Sequence, residues 1–156
     1  MKRNRKITVK LHIHNLVDYK LIGNDIYENV AEEVLKYAQY SLEDAEITLV
    51  LCDNSFIRDL NYKYRGFNQP TDVLSFYMNE KDEIIEPLLG DIVISVDMAK
   101  ENCLLSVLTL NEEIIYLFTH GILHLIGYDH ESSMADEEKM YNIQDKIIKY
   151  FHSLMK

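Results

Sequence analysis

The sequence predicts an α+β fold, in which a mixed four-stranded sheet packs against helices within a single domain spanning residues 1–156. Three observations lead to this fold class. Four short segments of strand character lie before residue 97, the chain is helical in pattern after it, and one late helix is apolar on nearly every side. Strands followed by a run of helices are typical of α+β domains. A helix that is apolar all round is buried at the centre of its domain.

Alternating or β-branched segments predict the four strands. KITVKLHI alternates apolar and polar residues and places His12 on the polar face, with His14 at the strand end. EITLVLC, VLSFYM and DIVISV are rich in β-branched and aromatic residues, which favour strands. Between the second and third strands, RGFNQPTD contains Gly66 and Pro70 and predicts a loop.

Two helices are predicted among the strands. Apolar residues recur at helical spacing after Asn24, which indicates a helix over residues 25–40. Asn54 is expected to cap a short helix that extends to Tyr64.

Capping signals define the two long helices of the second half. Thr109 and Glu112 have the spacing of a capping box, so a helix should begin near residue 110. Gly127 suits its C-terminal stop. A last helix is expected after Ser133, with an inward stripe made of Met140, Ile143, Ile147, Phe151 and Leu154.

The composition indicates a soluble, unexported protein of the cytoplasm. Hydrophobic residues make up 47% of the chain, yet they form no run long enough to cross a bilayer. The basic N-terminus lacks an apolar signal core. Cys52 and Cys103 are isolated, each beside a leucine. We therefore expect buried, reduced thiols rather than a disulfide or a thiolate metal site.

The net charge of −10 argues against nonspecific binding of nucleic acid over the whole surface. Charge is unevenly distributed along the chain, however, so a local basic groove stays an open hypothesis. Residues 129–138 carry five acids and no Lys or Arg, whereas residues 1–10 carry no acid. A solvated helix start and a solvated tail explain the two runs equally well. The basic residues of the first run are Lys2, Arg3, Arg5, Lys6 and Lys10.

The segment FTHGILHLIGYDH predicts a metal site. His120 and His124 are four residues apart, so on a helix both imidazoles face the same side. Gly127 allows a sharp turn, which would bring His130 back as a third ligand. Three imidazoles suit zinc and leave a fourth tetrahedral position open, as in catalytic sites. His12, His14 and His152 have no partner at ligand spacing.

Gly121 occupies the position at which zinc proteases of the same histidine spacing carry a glutamate base. Glycine cannot accept a proton through a side chain. Another residue must therefore act as the base, or the metal alone must lower the pKa of its water, or the substrate must assist. This departure weakens the hypothesis of peptide hydrolysis without eliminating it.

Three stretches resemble the motifs of a known family. They are LNYKYRGFNQPTDVLSF from Leu60 to Phe76, LGDIVIS from Leu89 to Ser95, and HGILHLIGYDHE from His120 onward. Their residues and order are similar to those of the YbeY family of bacterial metal-dependent endoribonucleases, which mature ribosomal RNA. The segment MNEKDEIIEP and the two chain ends are outside these motifs.

The resemblance implies a zinc-dependent endoribonuclease acting on single-stranded RNA near the 3′ end of precursor small-subunit ribosomal RNA. It implies one zinc per chain held by His120, His124 and His130, although nickel or another divalent ion fits three imidazoles as well. Arg65 would bind the scissile phosphate or stabilise its developing charge. The implied partners are the small ribosomal subunit with its proteins or an assembly GTPase. Neither DNA nor a membrane is expected.

Other roles remain open for the motif residues. Arg65 could instead cap a loop or pair with Asp72. Asp72, Ser75 and Asp91 fit strand-end and turn roles equally well. Asp129 could orient a ligand histidine or form the turn after Gly127.

Two rival functions also remain open. The first is a metal-dependent hydrolase of another class, above all a peptidase. The second is a non-catalytic ribosome-assembly or RNA-binding module in which zinc is structural. A weaker third hypothesis is a protein whose main role is binding and which also has slow nuclease activity.

Overall fold

Four strands form one mixed sheet, as the sequence predicts. In the order β1-β2-β4-β3, the first three strands are parallel and β3 pairs antiparallel with β4 at the edge. The computed structural model describes residues 6–79, 84–129 and 133–156. The strands are β1 Thr8–Asn15, β2 Asp44–Cys52, β3 Val73–Tyr77 and β4 Leu88–Ser95.

Five helices accompany this sheet in the described ranges, and the second half is helical as predicted. None of them combines the length and the apolar character that a bilayer-spanning helix needs. The helices are α1 Asn24–Tyr37, α2 Asn54–Arg65, α3 Val96–Cys103, α4 Leu110–Leu125 and α5 Met134–Leu154.

Helix α4 is the centre of the domain. It contacts α1, α3, α5, β3 and β4, which explains why it is apolar on nearly every side. The Thr109 hydroxyl accepts a hydrogen bond from the Glu112 N–H at 3.3 Å, as the capping box predicts. At the other end Gly127 has φ +101°. The Gly127 N–H donates to the His124 carbonyl, and the Tyr128 N–H donates to the Leu123 carbonyl. These two hydrogen bonds form a Schellman motif, which ends the helix.

The two faces of the sheet bury unequal cores. The main core lies between one face and α1, α4 and α5. On the other face, α2 packs Ile57 against a small cluster that contains Cys52, Leu74 and Val93, with Phe76 partly buried beside it. Because β3 is the edge strand, the C-terminal end of α2 and the face of α4 meet around it. This meeting point positions the candidate site.

Three sequence expectations differ from the structure. Asp53, rather than Asn54, caps α2, because its Oδ1 accepts from the Phe56 N–H at 2.9 Å. The helix predicted over residues 25–40 ends at Tyr37, and Gln39 follows in a left-handed conformation with φ 57°. Both cysteines are free, but only Cys52 is buried; Cys103 ends α3 beside an exposed loop and is partly exposed.

The remaining charge and capping predictions have mixed outcomes. Ser133 caps α5 by accepting from the Asp136 N–H at 3.0 Å, as predicted. In the basic run, Lys6 and Lys10 are exposed, and its first three cations lie outside the described residues. Glu131 of the acidic run also lies outside them.

Candidate functional site

His120 and His124 lie together on the last turns of α4. Their ring centroids are 4.5 Å apart at an interplanar angle of 69°. Their Nε2 atoms approach to 2.9 Å. Both side chains are half-buried, although the helix around them is almost wholly buried. The spacing of four residues therefore brings the two imidazole nitrogens to one point, as the sequence predicts.

The chemistry of this pair fits a divalent metal. Two nitrogens bound at tetrahedral angles to one zinc ion, each roughly 2.0–2.1 Å from it, are about 3.3 Å apart. The observed separation of 2.9 Å is close to that value, so a small rotation of either ring would admit the ion. Neutral imidazoles are also the form that metals bind.

The third histidine of the predicted set, His130, lies outside the described residues. Within residues 6–79, 84–129 and 133–156, no group of three His, Cys, Asp or Glu side chains forms a metal site. The three-histidine ligand set therefore stays a prediction, of which the structure describes two members.

A cleft of about 820 Å³ opens beside the two histidines. One wall is α4, which contributes His120 and His124, and the opposite wall is the end of α2 and the edge strand β3. Arg65, the last residue of α2, is exposed and lines this cleft. Gly66 ends the helix with φ +78° and turns the chain toward β3. The fold thus brings the predicted arginine and histidines to one cavity.

The alternative pairing of Arg65 with Asp72 does not occur among the ion pairs of the described residues. Asp72 Oδ2 instead accepts a hydrogen bond from Asn102 Nδ2 at 3.1 Å. The Arg65 guanidinium lies 6.0 Å from the ring centroid of Phe67. Its charge therefore faces the cleft with an aromatic neighbour and no carboxylate partner from these ranges.

Gly121 is a packing residue that faces the sheet. A Cβ at this position would lie 2.7 Å from Ile92 Cγ2 and 3.1 Å from Cδ1. Ile92 is fully buried on β4 and, being β-branched, has little freedom to move aside. Any side chain here, a glutamate included, would separate α4 from the sheet. This close approach favours a residue without a side chain at position 121.

The other motif residues divide between structure and cleft. Ser75 lines the cleft, but its hydroxyl donates to the Gly121 carbonyl at 3.3 Å and so joins β3 to α4. Asp72 and Asp129 line the cleft as well. Asp91 is exposed on β4 opposite Phe76 and is not part of the cleft wall.

Sequence reasoning missed a buried polar group beside His120. The Asn102 amide donates to Asp72 Oδ2 and to Glu113 Oε1, each at 3.1 Å. Glu113 is only 5% exposed, and it lines a second cavity of about 400 Å³ together with His120. An acid seven residues before His120, on the same face of a helix that is otherwise oily, was the available signal.

The environment of Glu113 favours its neutral form. Burial raises the pKa of the Glu113 carboxyl, the hydrogen bond from Asn102 lowers it, and the charge of Asp72 raises it further; the net shift is upward. A carboxyl that stays protonated more readily can donate as well as accept hydrogen bonds. The cluster of Asp72, Asn102 and Glu113 therefore fixes the wall beside His120.

Structural contacts account for two histidines and one cysteine that lie outside the cleft. His12 pairs with Glu46 at 2.8 Å and His152 with Glu112 at 3.2 Å. Burial raises the pKa of the Cys52 thiol to about 12, so Cys52 is not a thiolate at neutral pH.

Comparison with known proteins agrees with this architecture. The solution structure of TM1509 from Thermotoga maritima superposes with a TM-score of 0.63 at 27% identity, covering 94% of this chain and 91% of that one. It shares the single α+β domain with a mixed four-stranded sheet and five helices. This bears out the predicted fold class, apart from the metal-bearing role of the central helix.

Named sequence relatives are similar over most of the chain. The protein named endoribonuclease YbeY from Sulfurihydrogenibium sp. is 39% identical over 145 residues, 93% of this chain and 94% of that one. Its namesake from Persephonella marina is 40% identical over 133 residues, covering 85% of this chain and 86% of its own. A sequence model described as "Endoribonuclease YbeY" matches residues 12–152. The chain therefore belongs to the endoribonuclease YbeY family and is an enzyme of the nuclease class.

Proposed function

We propose that this chain is a zinc-dependent endoribonuclease that cleaves single-stranded RNA near the 3′ end of precursor small-subunit ribosomal RNA. The observation that carries the proposal is the approach of the His120 and His124 Nε2 atoms to 2.9 Å in a cleft that Arg65 also lines. Two imidazole nitrogens suited to a metal and a guanidinium suited to phosphate are groups that metal-assisted phosphodiester cleavage would use. Family membership supplies the substrate class.

His120, His124 and His130 would hold the metal. Once bound there, zinc supplies Lewis-acid chemistry toward a phosphoryl oxygen at neutral pH. The chain's own contribution is to hold both described imidazoles on one rigid helix, which is buried on most sides. The ligands therefore need little reordering when the ion or the substrate arrives.

Arg65 would hold the scissile phosphate. A guanidinium presents its N–H donors as a planar fork that matches two phosphate oxygens. In this position it also offsets the negative charge that develops on those oxygens. Its placement at the exposed end of α2 lets the side chain follow the substrate into the cleft.

A carboxylate of the cleft would accept the proton of the attacking hydroxyl, since Gly121 cannot. Asp72 and Asp129 are the acids that line the cleft within the described ranges. The fold orients Asp72 through the hydrogen bond that Asn102 donates to its Oδ2. Asp72, oriented in this way, would take the proton from water or from the 2′-hydroxyl of the RNA.

The acidic surface points to a partner that delivers the RNA. A net charge of −10 repels a polyanion outside the local site. Contacts made mainly to phosphate also carry little sequence information. We therefore propose that the small ribosomal subunit with its proteins, or an assembly GTPase, presents the cleavage site to this enzyme in the cytoplasm.

Elemental analysis and RNA cleavage test this proposal together. The wild-type chain should contain about one zinc per chain, as expected for a three-histidine site, and should cleave precursor small-subunit RNA. His124→Ala should lose both properties and keep its fold by circular dichroism. His152→Ala is the matched control, because His152 lies on α5 and pairs with Glu112; it should keep both.

Two results would contradict the proposal. Stoichiometric metal with no cleavage, even after small ribosomal subunits are added, would show that the metal is structural. Cleavage that survives in a folded, metal-free His124→Ala variant would show that the histidines are not part of the catalytic machinery.

One observation favours the peptidase alternative. β3 is the edge strand and lines the cleft from Val73 to Tyr77, and an extended peptide could add to such an edge. The packing of Gly121 against Ile92 counts against it, since no glutamate base fits there. Chelator-sensitive cleavage of a peptide panel, with no cleavage of RNA, would favour this alternative.

A further inference from the structure

Aromatic and basic side chains alternate where α2 ends. The segment YKYRGF covers Tyr62 to Phe67; it places Lys63 between two tyrosines, and Arg65 between Tyr64 and, one residue further on, Phe67. The Lys63 ammonium lies 5.1 Å from the centroid of the Tyr64 ring. The Arg65 guanidinium lies 6.0 Å from that of Phe67. Each cation therefore accompanies a ring at the surface, within the range of cation–π contacts.

Two exposed rings border the cleft. Tyr64, on α2, is 57% exposed, and Tyr77, at the end of β3, is 58% exposed. Both line the cavity that also contains His120 and His124. We call Tyr64 and Tyr77 the aromatic rim. Large exposed aromatic side chains beside a cleft indicate a ligand-binding surface.

The aromatic rim is held in place by the fold. Tyr64 packs against Phe76 in an edge-to-face arrangement, with ring centroids 5.1 Å apart at 65°, and Phe76 in turn packs on the small cluster under α2. Tyr77 is a sheet residue in register with Gly90 on β4. A packed ring such as that of Tyr64 loses little conformational entropy when a flat ligand stacks on it, and the sheet fixes the backbone that carries Tyr77.

The charge of the protein makes stacking useful for binding RNA. Affinity from phosphate contacts is limited here, because the chain carries a net charge of −10 and Arg65 is the one Lys or Arg that lines the cleft among the described residues. Stacking of a base on an aromatic ring adds affinity without any charge. It also requires a base whose face is free, which a paired base inside a duplex does not offer.

We propose that the aromatic rim is a base-stacking subsite, on which unpaired bases of an RNA strand stack while the phosphate between or beside them lies at His120, His124 and Arg65. This inference rests on the proposed function and adds to it the recognition of unpaired bases. It explains selectivity for single strands by the rings rather than by the metal. Lys63 binds phosphates of the same RNA strand.

Fluorescence anisotropy with a short single-stranded RNA tests the subsite apart from cleavage. Tyr64→Ala and Tyr77→Ala should each weaken binding by roughly 5- to 100-fold, the range expected for the loss of one stacked base. The salt dependence should stay unchanged, since no charge is removed. Lys63→Ala should instead lower the slope of log K against log salt by about 0.7.

Three controls isolate stacking from folding. Tyr62→Ala removes an equally exposed ring of α2, 62% exposed, that is not part of the cleft wall; it should bind as the wild type does. Tyr64→Phe keeps the ring and should restore binding. Against an RNA of the same length with abasic residues, Tyr64→Ala and the wild type should bind equally.

The outcomes separate this inference from the proposed function. Wild-type-like binding by Tyr64→Ala and Tyr77→Ala, in a protein that still cleaves RNA, would overturn the subsite alone. Equal losses on normal and abasic RNA would also overturn it, because the rings would then act on the backbone. Wild-type protein that does not bind the single-stranded RNA and does not cleave precursor small-subunit RNA, even after small ribosomal subunits are added, would overturn both.

Discussion

The two walls of the cleft are built in opposite ways. The α4 wall places His120 and His124 on a helix that the rest of the domain surrounds, with Gly121 and Glu113 buried beside them. The facing wall presents Arg65 and the aromatic rim from exposed positions on α2 and β3. One wall belongs to the core, and the other is attached to the edge of the sheet.

This difference teaches that stability and substrate recognition are separated in space. A change on the α4 wall alters packing that the whole fold depends on. A change on the exposed wall removes contacts with the substrate and only small packing contacts, such as that of Tyr64 with Phe76, so it should alter the free energy of unfolding only slightly. Variants that break this rule would show that the walls are coupled.

The largest effect is expected on the exposed wall. Arg65→Ala should lower kcat/KM for RNA cleavage by about 10²- to 10³-fold, as for other donors that stabilise developing charge. Metal content and Tm should match the wild type. Arg65→Lys should recover only part of the activity, since an ammonium lacks the planar fork.

Arg58→Ala is the matched control for Arg65→Ala, because Arg58 is exposed on the same helix and is not part of the cleft wall. Its cleavage rate should stay near that of the wild type. If Arg65→Ala instead lowered Tm strongly, the loop-capping role of Arg65 would be favoured and the separation of the two walls would fail.

The next effect is expected on the buried wall. Gly121→Ala forces a methyl group against Ile92, where a Cβ would be 2.7 Å from Cγ2. Overpacking of this kind lowers the free energy of unfolding by roughly 1–3 kcal/mol, which denaturant titration would measure. The double variant Gly121→Ala with Ile92→Ala should lose less stability than the sum of the two single changes. Simple additivity would mean that the two residues do not press on one another.

Local features of the molecule could be predicted from the sequence, whereas features that depend on contacts between distant segments could not. Local signals predicted α4 well: the Thr109 cap, the apolar surround and the Gly127 stop are all present. The facing of His120 and His124 also follows from their spacing. The reason for Gly121 could not be predicted, because it depends on Ile92, a residue of a strand that only the fold brings close.

Non-local contacts explain the other gaps. Asn102 of α3 joins Asp72 to Glu113 across three segments of the chain, and no periodicity reveals such a bond. The meeting of Tyr64 and Tyr77 at one cleft depends on β3 lying at the sheet edge. The alternation of rings and cations in YKYRGF was visible in the sequence, but only the cleft gives it a function.

The smallest effect concerns Glu113 and depends on pH. Because burial raises the pKa of Glu113, its contribution to stability is complete at low pH and is lost as the pH rises through the folded-state pKa. Glu113→Gln is neutral at every pH and keeps an oxygen for the Asn102 donor. Its Tm should therefore match that of the wild type in acid and exceed it as the pH rises through the folded-state pKa of Glu113, with a constant difference above that pKa, at equal metal content. A difference that grows toward acid instead would mean that the hydrogen bond from Asn102 outweighs burial, and that the α4 wall tolerates a buried carboxylate.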